Sequence, residues 1–176
     1  MGFDMSTIVK AMKKKPGGTP AIIALSAAGV AFDVYEFDAG SDHFGQHAAA
    51  AMAEVGLSEE QVFKTLILAL EGAPRPGLGL VCVPVDAKVS MKKAAAAFGV
   101  RKAQMADEKS AHRATGYVFG GTSPVGQKTQ LPTVIDETAS LWDVVCVSAG
   151  KRGMDVALAP DDLVAVTGGS YADVSA

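Results

Sequence analysis

The sequence predicts an α/β protein with a central mixed, largely antiparallel sheet flanked by helices, and three features carry that reading. Helical stretches open on capping residues and close on glycine. Apolar runs such as TLILAL and GLVCVPV have the length and branched composition of buried strands. The two kinds of segment alternate irregularly, which excludes a simple βαβ repeat. At 176 residues the chain suits one domain with a real core.

In chain order, Thr19 is a helix N-cap, Pro20 occupies the first turn of AIIALSAA, and Gly29 stops it. FDVYEF alternates as a strand. After a loop at Gly40-Ser41-Asp42, AAAAMAEV predicts a helix ending at Gly56. Ser58 with Gln61 three residues on is a capping box, so a short helix opens there. TLILAL and GLVCVPV, separated by the proline- and glycine-rich residues 72–79, form an antiparallel pair. Ser90 caps a helix that stops at Gly99, and Asp107 starts another ending near Gly116. The strands DVVCVSAG and MDVALA flank a Lys-Arg-Gly turn, and a short helix DDLVAV follows Pro160. Residues 1–18 read as a flexible or weakly helical extension, 19–170 as the domain and 171–176 as a tail.

Composition narrows the function classes. With 49% apolar and 20% charged residues the chain folds. Its longest apolar runs, 65–70 and 78–85, are strand length, so no membrane span is expected. Cys82 and Cys146 lie inside apolar runs and read as small buried residues in a reducing, cytoplasmic setting. Three histidines without carboxylates or cysteines at ligand spacing predict no metal, and no cofactor motif is present. The opening MGFDMS matches a myristoylation pattern short enough to recur by chance. Lys13-Lys14-Lys15 leads into Pro16-Gly17-Gly18, with no apolar segment of a secretory signal.

The net charge of −3 conceals an asymmetry: residues 88–152 hold ten Lys and Arg against five acids, and the rest six against fourteen. A basic face that includes Lys92, Lys93, Lys128, Lys151 and Arg152 suits a phosphate backbone, although such charges also serve as ordinary solvated surface.

The stretch GGTSPVGQKT, residues 120–129, nearly spells a nucleotide phosphate loop. Such a loop needs its second glycine to lead into a helix whose free amides hold phosphate. Gln127 intrudes before Lys128, and Pro132 breaks any helix begun there. Nor is there a dinucleotide fingerprint, since Cys82 stands where the third glycine after Gly77 and Gly79 belongs. What survives is a glycine loop able to aim amides at an ester carbonyl, an oxyanion or a sugar edge, or else a turn whose amides meet water. There is no G-x-S-x-G elbow. Lys64 interrupts the apolar run VFKTLIL, as a snorkelling side chain or as a working cation.

Together Thr19-Pro20-Ala21, His43-Phe44-Gly45, VFKTLIL, MKKAAAAFGVRKAQMAD, TGYVFGGTSPVGQK and VSAGKRGMDVALAPDDL resemble the YbaK/EbsC family, most closely its bacterial Cys-tRNA(Pro) deacylases, from about residue 19 to 166. The resemblance implies the fold of the prolyl-tRNA synthetase editing domain. It also implies an enzyme that removes cysteine from mischarged tRNA(Pro), with the synthetase as a partner. The family's essential lysine falls on Lys64, expected to hold the 3′-terminal adenosine and its phosphate. Its G-x-x-x-P loop falls on Gly120, Gly121, Thr122, Ser123 and Pro124, beside the aminoacyl ester. Further pocket positions fall on Tyr35, Phe44, Thr65, Ser148 and Asp155. The family chemistry lets the substrate thiol attack its own ester, which accounts for the missing triad. The segment between Gly45 and Phe63 is longer than the family's. Alternatives are a deacylase for Ala-tRNA(Pro) or another small aminoacyl-tRNA, and a non-catalytic module that binds tRNA or synthetase.

Overall fold

A computed structural model describes residues 10–12 and 18–176. The myristoylation pattern and the Lys13-Lys14-Lys15 run lie outside the described residues. The strands Lys10–Met12 (β1), Phe32–Glu36 (β2), Phe63–Glu71 (β3), Leu78–Pro84 (β4), Lys102–Met105 (β5), Thr133–Asp136 (β6), Val145–Lys151 (β7), Met154–Leu158 (β8) and Ser170–Ala172 (β9) are interleaved with five helices. These are Pro20–Ala28 (α1), Phe44–Glu54 (α2), Met91–Phe98 (α3), Glu108–Thr115 (α4) and Pro160–Thr167 (α5). Among the described residues no helix is long and apolar enough to cross a membrane.

Local chemistry sets most helix boundaries. The Thr19 hydroxyl accepts the Ile22 amide, Ser90 accepts from Lys93 and Asp107 from Ser110, while Gly29, Gly99 and Gly116 close their helices in the left-handed region. The Ser58 capping box is present, with the Ser58 amide donating to Gln61 Oε1 at 2.9 Å, but it opens only a 3-10 turn, Glu59–Gln61. The alanine-rich helix starts earlier than its alanines do, at Phe44.

The α/β class with mainly antiparallel pairing holds, but the strands divide between two sheets where one was expected. One sheet runs β1-β2-β8-β7, all antiparallel; the other runs β5-β3-β4-β6-β9, with β6 parallel to both its neighbours. Both have an apolar inner face, so packing them together buries Val34, Ile67, Leu80, Val147 and Val156 in one core. α3 covers the outer face of the five-stranded sheet through Ala94 and Ala95, and α2 covers the other sheet with Ala51 and Met52. Among the described residues, an isolated bridge from Val62 to Cys146 ties the two sheets beside a cavity.

Three stretches differ from the sequence reading. Lys10–Met12 is a strand, not part of a weakly helical extension, because the edge of β2 offers unpaired backbone groups. β5 and β9 have no strong strand composition and form by docking on β3 and β6. Residues 171–176 are no tail: Val174 is fully buried, its carbonyl accepts the Ser90 amide, and its own amide donates to Asp136 Oδ1 at 3.1 Å. Both cysteines are free and buried, and burial pushes the Cys82 thiol up to about 12, which makes it inert.

The chain runs from Gly120 to Pro132 without a helix, as Pro132 requires. Gly126 has φ +75°, and a Cβ there would lie 2.6 Å from the Pro20 carbonyl oxygen. Gly126→Ala is expected to lower stability by about 2 kcal/mol, read as a drop in the urea midpoint at unchanged m-value.

Candidate active site

A cavity of about 380 Å³, lined by residues of both sheets, opens to solvent. Its walls come from six places: the start of α2, the start of β3, Val85 just after β4, β7, β8, and the loop after α4. That volume suits a small ligand or the reactive end of a large one.

Lys64 enters the wall because β3 begins at Phe63, whose side chain is taken into the core and leaves its polar neighbour at the mouth. Lys64 is half-buried, and burial lowers its pKa, with Lys88 adding to the fall and Asp86 opposing it. Thr65 lies beside it, its hydroxyl 3.7 Å from Cys82 Sγ. Opposite, β8 supplies Asp155, only 6% exposed, and burial pushes its carboxyl up to about 7. Ser148 of β7 stands across from Asp155 in register. The register slips between Ser148 and Lys151, a bulge in which Ser148 Oγ accepts the Gly150 amide at 3.2 Å.

The fourth wall is a tight turn. The Gly121 amide donates to the Val118 carbonyl at 2.9 Å, and Gly120 sits at φ +84°, where a Cβ would run into the Phe44 ring. Phe44 stacks edge-on to Phe119 at 6.1 Å, and the Arg152 guanidinium lies 4.6 Å above the Phe44 ring. His43, which precedes Phe44, takes a left-handed φ of 49°, alone among the described non-glycine residues. Strain of this kind is held in place by surrounding structure, and here it turns the chain into α2 beside the cavity.

The structure therefore brings Lys64, Phe44, Thr65, Gly120, Thr122, Ser148 and Asp155 to one cavity. It does not bring Tyr35, Gly121, Ser123 or Pro124 there. Tyr35 pairs with Asp155 across the strands but packs against the core under α2. Gly121 is buried against the Lys151–Arg152 backbone and its amide closes the turn. Ser123 is buried with its hydroxyl accepting the Val125 amide at 3.2 Å, and Pro124 is buried beside it, so both serve the loop itself. Among the described residues, no protein group takes the amides of Gly120 and Thr122. Sequence reasoning missed His43, Gln46 and Phe119, which also line the cavity; Phe119 had a signal in its place beside the double glycine.

The five cations singled out in the sequence do not form one set. Lys93 Nζ is held by Asp173 at 2.9 Å and by the Ser175 carbonyl at 2.8 Å. Arg152 Nε donates to the Phe119 carbonyl at 2.7 Å. Lys92, Lys128 and Lys151 are exposed.

A family model described as the aminoacyl-tRNA editing domain matches residues 45–166. A protein of Enterococcus faecalis, provisionally named Cys-tRNA(Pro)/Cys-tRNA(Cys) deacylase EbsC, is 33% identical over 165 residues, which cover 94% of this chain and 98% of the relative. A crystal structure provisionally described as a trans-editing enzyme for prolyl tRNA synthetase is 27% identical with a TM-score of 0.78, over 93% of this chain and 99% of that one. The crystal structure of the hypothetical protein APE2540 shares the fold at 24% identity, with a TM-score of 0.76 over 89% and 99% of the two chains.

Proposed function

The chain belongs to the family of aminoacyl-tRNA editing domains, and on that premise we propose that it is a trans-editing deacylase that removes cysteine from mischarged tRNA(Pro). Aminoacyl-tRNA deacylation follows from the family and from the relative's name; the choice of cysteine and the route of cleavage are our reading. The observation that carries the route is a half-buried lysine at a cavity where no hydrogen-bonded Ser–His or Cys–His pair forms among the described residues.

A site without its own activated nucleophile suits a substrate that brings one. The cysteinyl sulfur attacks its own ester carbonyl carbon; a C–S bond forms, the ester C–O bond breaks, and the ribose oxygen leaves. The thiol gives up one proton and the departing ribose oxygen gains one, so the products are a thiolactone and free tRNA. Water then opens the thiolactone to cysteine. The protein orients the ester and stabilises the oxyanion, for which the Gly120 and Thr122 amides are available and Lys64 supplies positive charge near the terminal nucleotide. Asp155, with its carboxyl raised to about 7, is a cavity group able to exchange a proton at neutral pH.

The test pairs two substrates. Cysteine is expected to be released from Cys-tRNA(Pro) at least tenfold faster than alanine from Ala-tRNA(Pro), because alanine lacks the thiol. Cleavage of alanine alone would overturn the cysteine reading. Partnership with prolyl-tRNA synthetase belongs to the same proposal and is supported by the description of the trans-editing structure.

A further inference from the structure

The geometry points to Phe119 as a stacking platform for the penultimate base of the unpaired tRNA 3′ strand, an assignment that rests on the deacylase reading. Phe119 is 63% exposed at the cavity rim. An exposed ring costs little by itself, but this one stands on a backbone braced by several contacts. Its carbonyl accepts Arg152 Nε at 2.7 Å, the turn around it is closed by the Gly121 amide, and Gly120 behind it is packed on Phe44. Phe44 in turn meets the Phe119 ring edge-on and carries Arg152 on its face. The π-face left to solvent is thus pre-ordered, which lowers the entropy lost when a flat partner binds.

The occupant follows from position and charge. A cavity of about 380 Å³ takes the esterified terminal nucleoside and its amino acid, so the base just outside is the penultimate one. Exposed Arg152, held to the Phe119 carbonyl, complements the phosphate between the two nucleotides, and exposed Lys151 precedes it in the chain. An aromatic face beside cations is the arrangement that binds single-stranded bases without reading their edges.

The experiment uses unacylated tRNA(Pro) carrying the fluorescent cytosine analogue pyrrolocytosine at the penultimate position, together with deacylation kinetics on Cys-tRNA(Pro). Wild-type protein is expected to quench the probe. Phe119→Ala and Phe119→Leu are expected to lose the quench and to raise KM about tenfold with kcat within about twofold; Phe119→Trp retains both. Leucine matters because it keeps apolar area without a π-face. Absence of quenching by wild-type protein, or wild-type quench and KM in Phe119→Ala, overturns the platform. If wild-type protein cleaves no aminoacyl-tRNA yet quenches through Phe119, the deacylase reading falls and the platform stands; if it cleaves and Phe119→Ala changes nothing, the reverse holds.

Discussion

Lys64→Ala lowers kcat/KM for Cys-tRNA(Pro) by about a hundredfold or more, with the thermal midpoint shifted by only a few degrees. The separation of the two effects is the point. Among the described residues Lys64 makes no salt bridge, so its removal leaves no carboxylate unpaired and no core void. Its charge, though, sits half-buried at the cavity wall, and burial already works against that charge. A cation kept in such a place interacts with a phosphate or an oxyanion more strongly than one in water, at roughly 3 kcal/mol for a lost charge-stabilising contact. Single-turnover deacylation measures the loss, and Lys64→Met checks that the alkyl stem alone does not carry it. Full activity in Lys64→Ala would remove the residue from the site.

Asp155→Asn changes stability in the opposite sense, and only above mildly acidic pH. Burial raises the Asp155 carboxyl from 3.8 to about 7. Between those values the folded protein keeps a proton that the unfolded chain has lost, so stability falls as pH rises from about 4 to about 7 and then levels off. Asparagine has the same shape and no such titration. The variant is therefore expected to match wild type near pH 4 and to exceed it above pH 7 by an amount on the order of 4 kcal/mol at most. Urea unfolding of both proteins at pH 4.5 and pH 8 measures the gap. Equal pH slopes would show that Asp155 is solvated. Deacylation by the same variant is expected to fall, since a carboxyl that weakens the fold at neutral pH is retained at a cavity for what it does there.

Local signals made the helices legible. Thr19, Ser90 and Asp107 cap helices through side-chain hydrogen bonds within three residues, and Gly29, Gly99 and Gly116 end them through backbone freedom, so no distant contact is needed. Strands are less local. β4 is buried along its whole length and announces itself by composition, but β5 and β9 exist because β3 and β6 present edges to them. The same cause splits the expected sheet in two, because strand partners are chosen by which apolar faces meet.

The site divides along the same line. Sequence alone determined that GGTSPVGQKT is no phosphate loop, since Pro132 forbids the helix, that the cysteines are inert core residues, and that Lys64 stands out of place in an apolar run. These follow from residue type and neighbours in the chain. Only the tertiary structure decided which groups of the glycine loop face the cavity: Gly120 and Thr122 line it, while Gly121, Ser123 and Pro124 are consumed in closing and packing the turn. It likewise decided that burial raises the Asp155 carboxyl to about 7, and that Phe119 stands exposed on a braced turn. Burial and orientation are properties of surroundings drawn from α2, β3, β7 and β8 together, and no stretch of sequence carries them by itself.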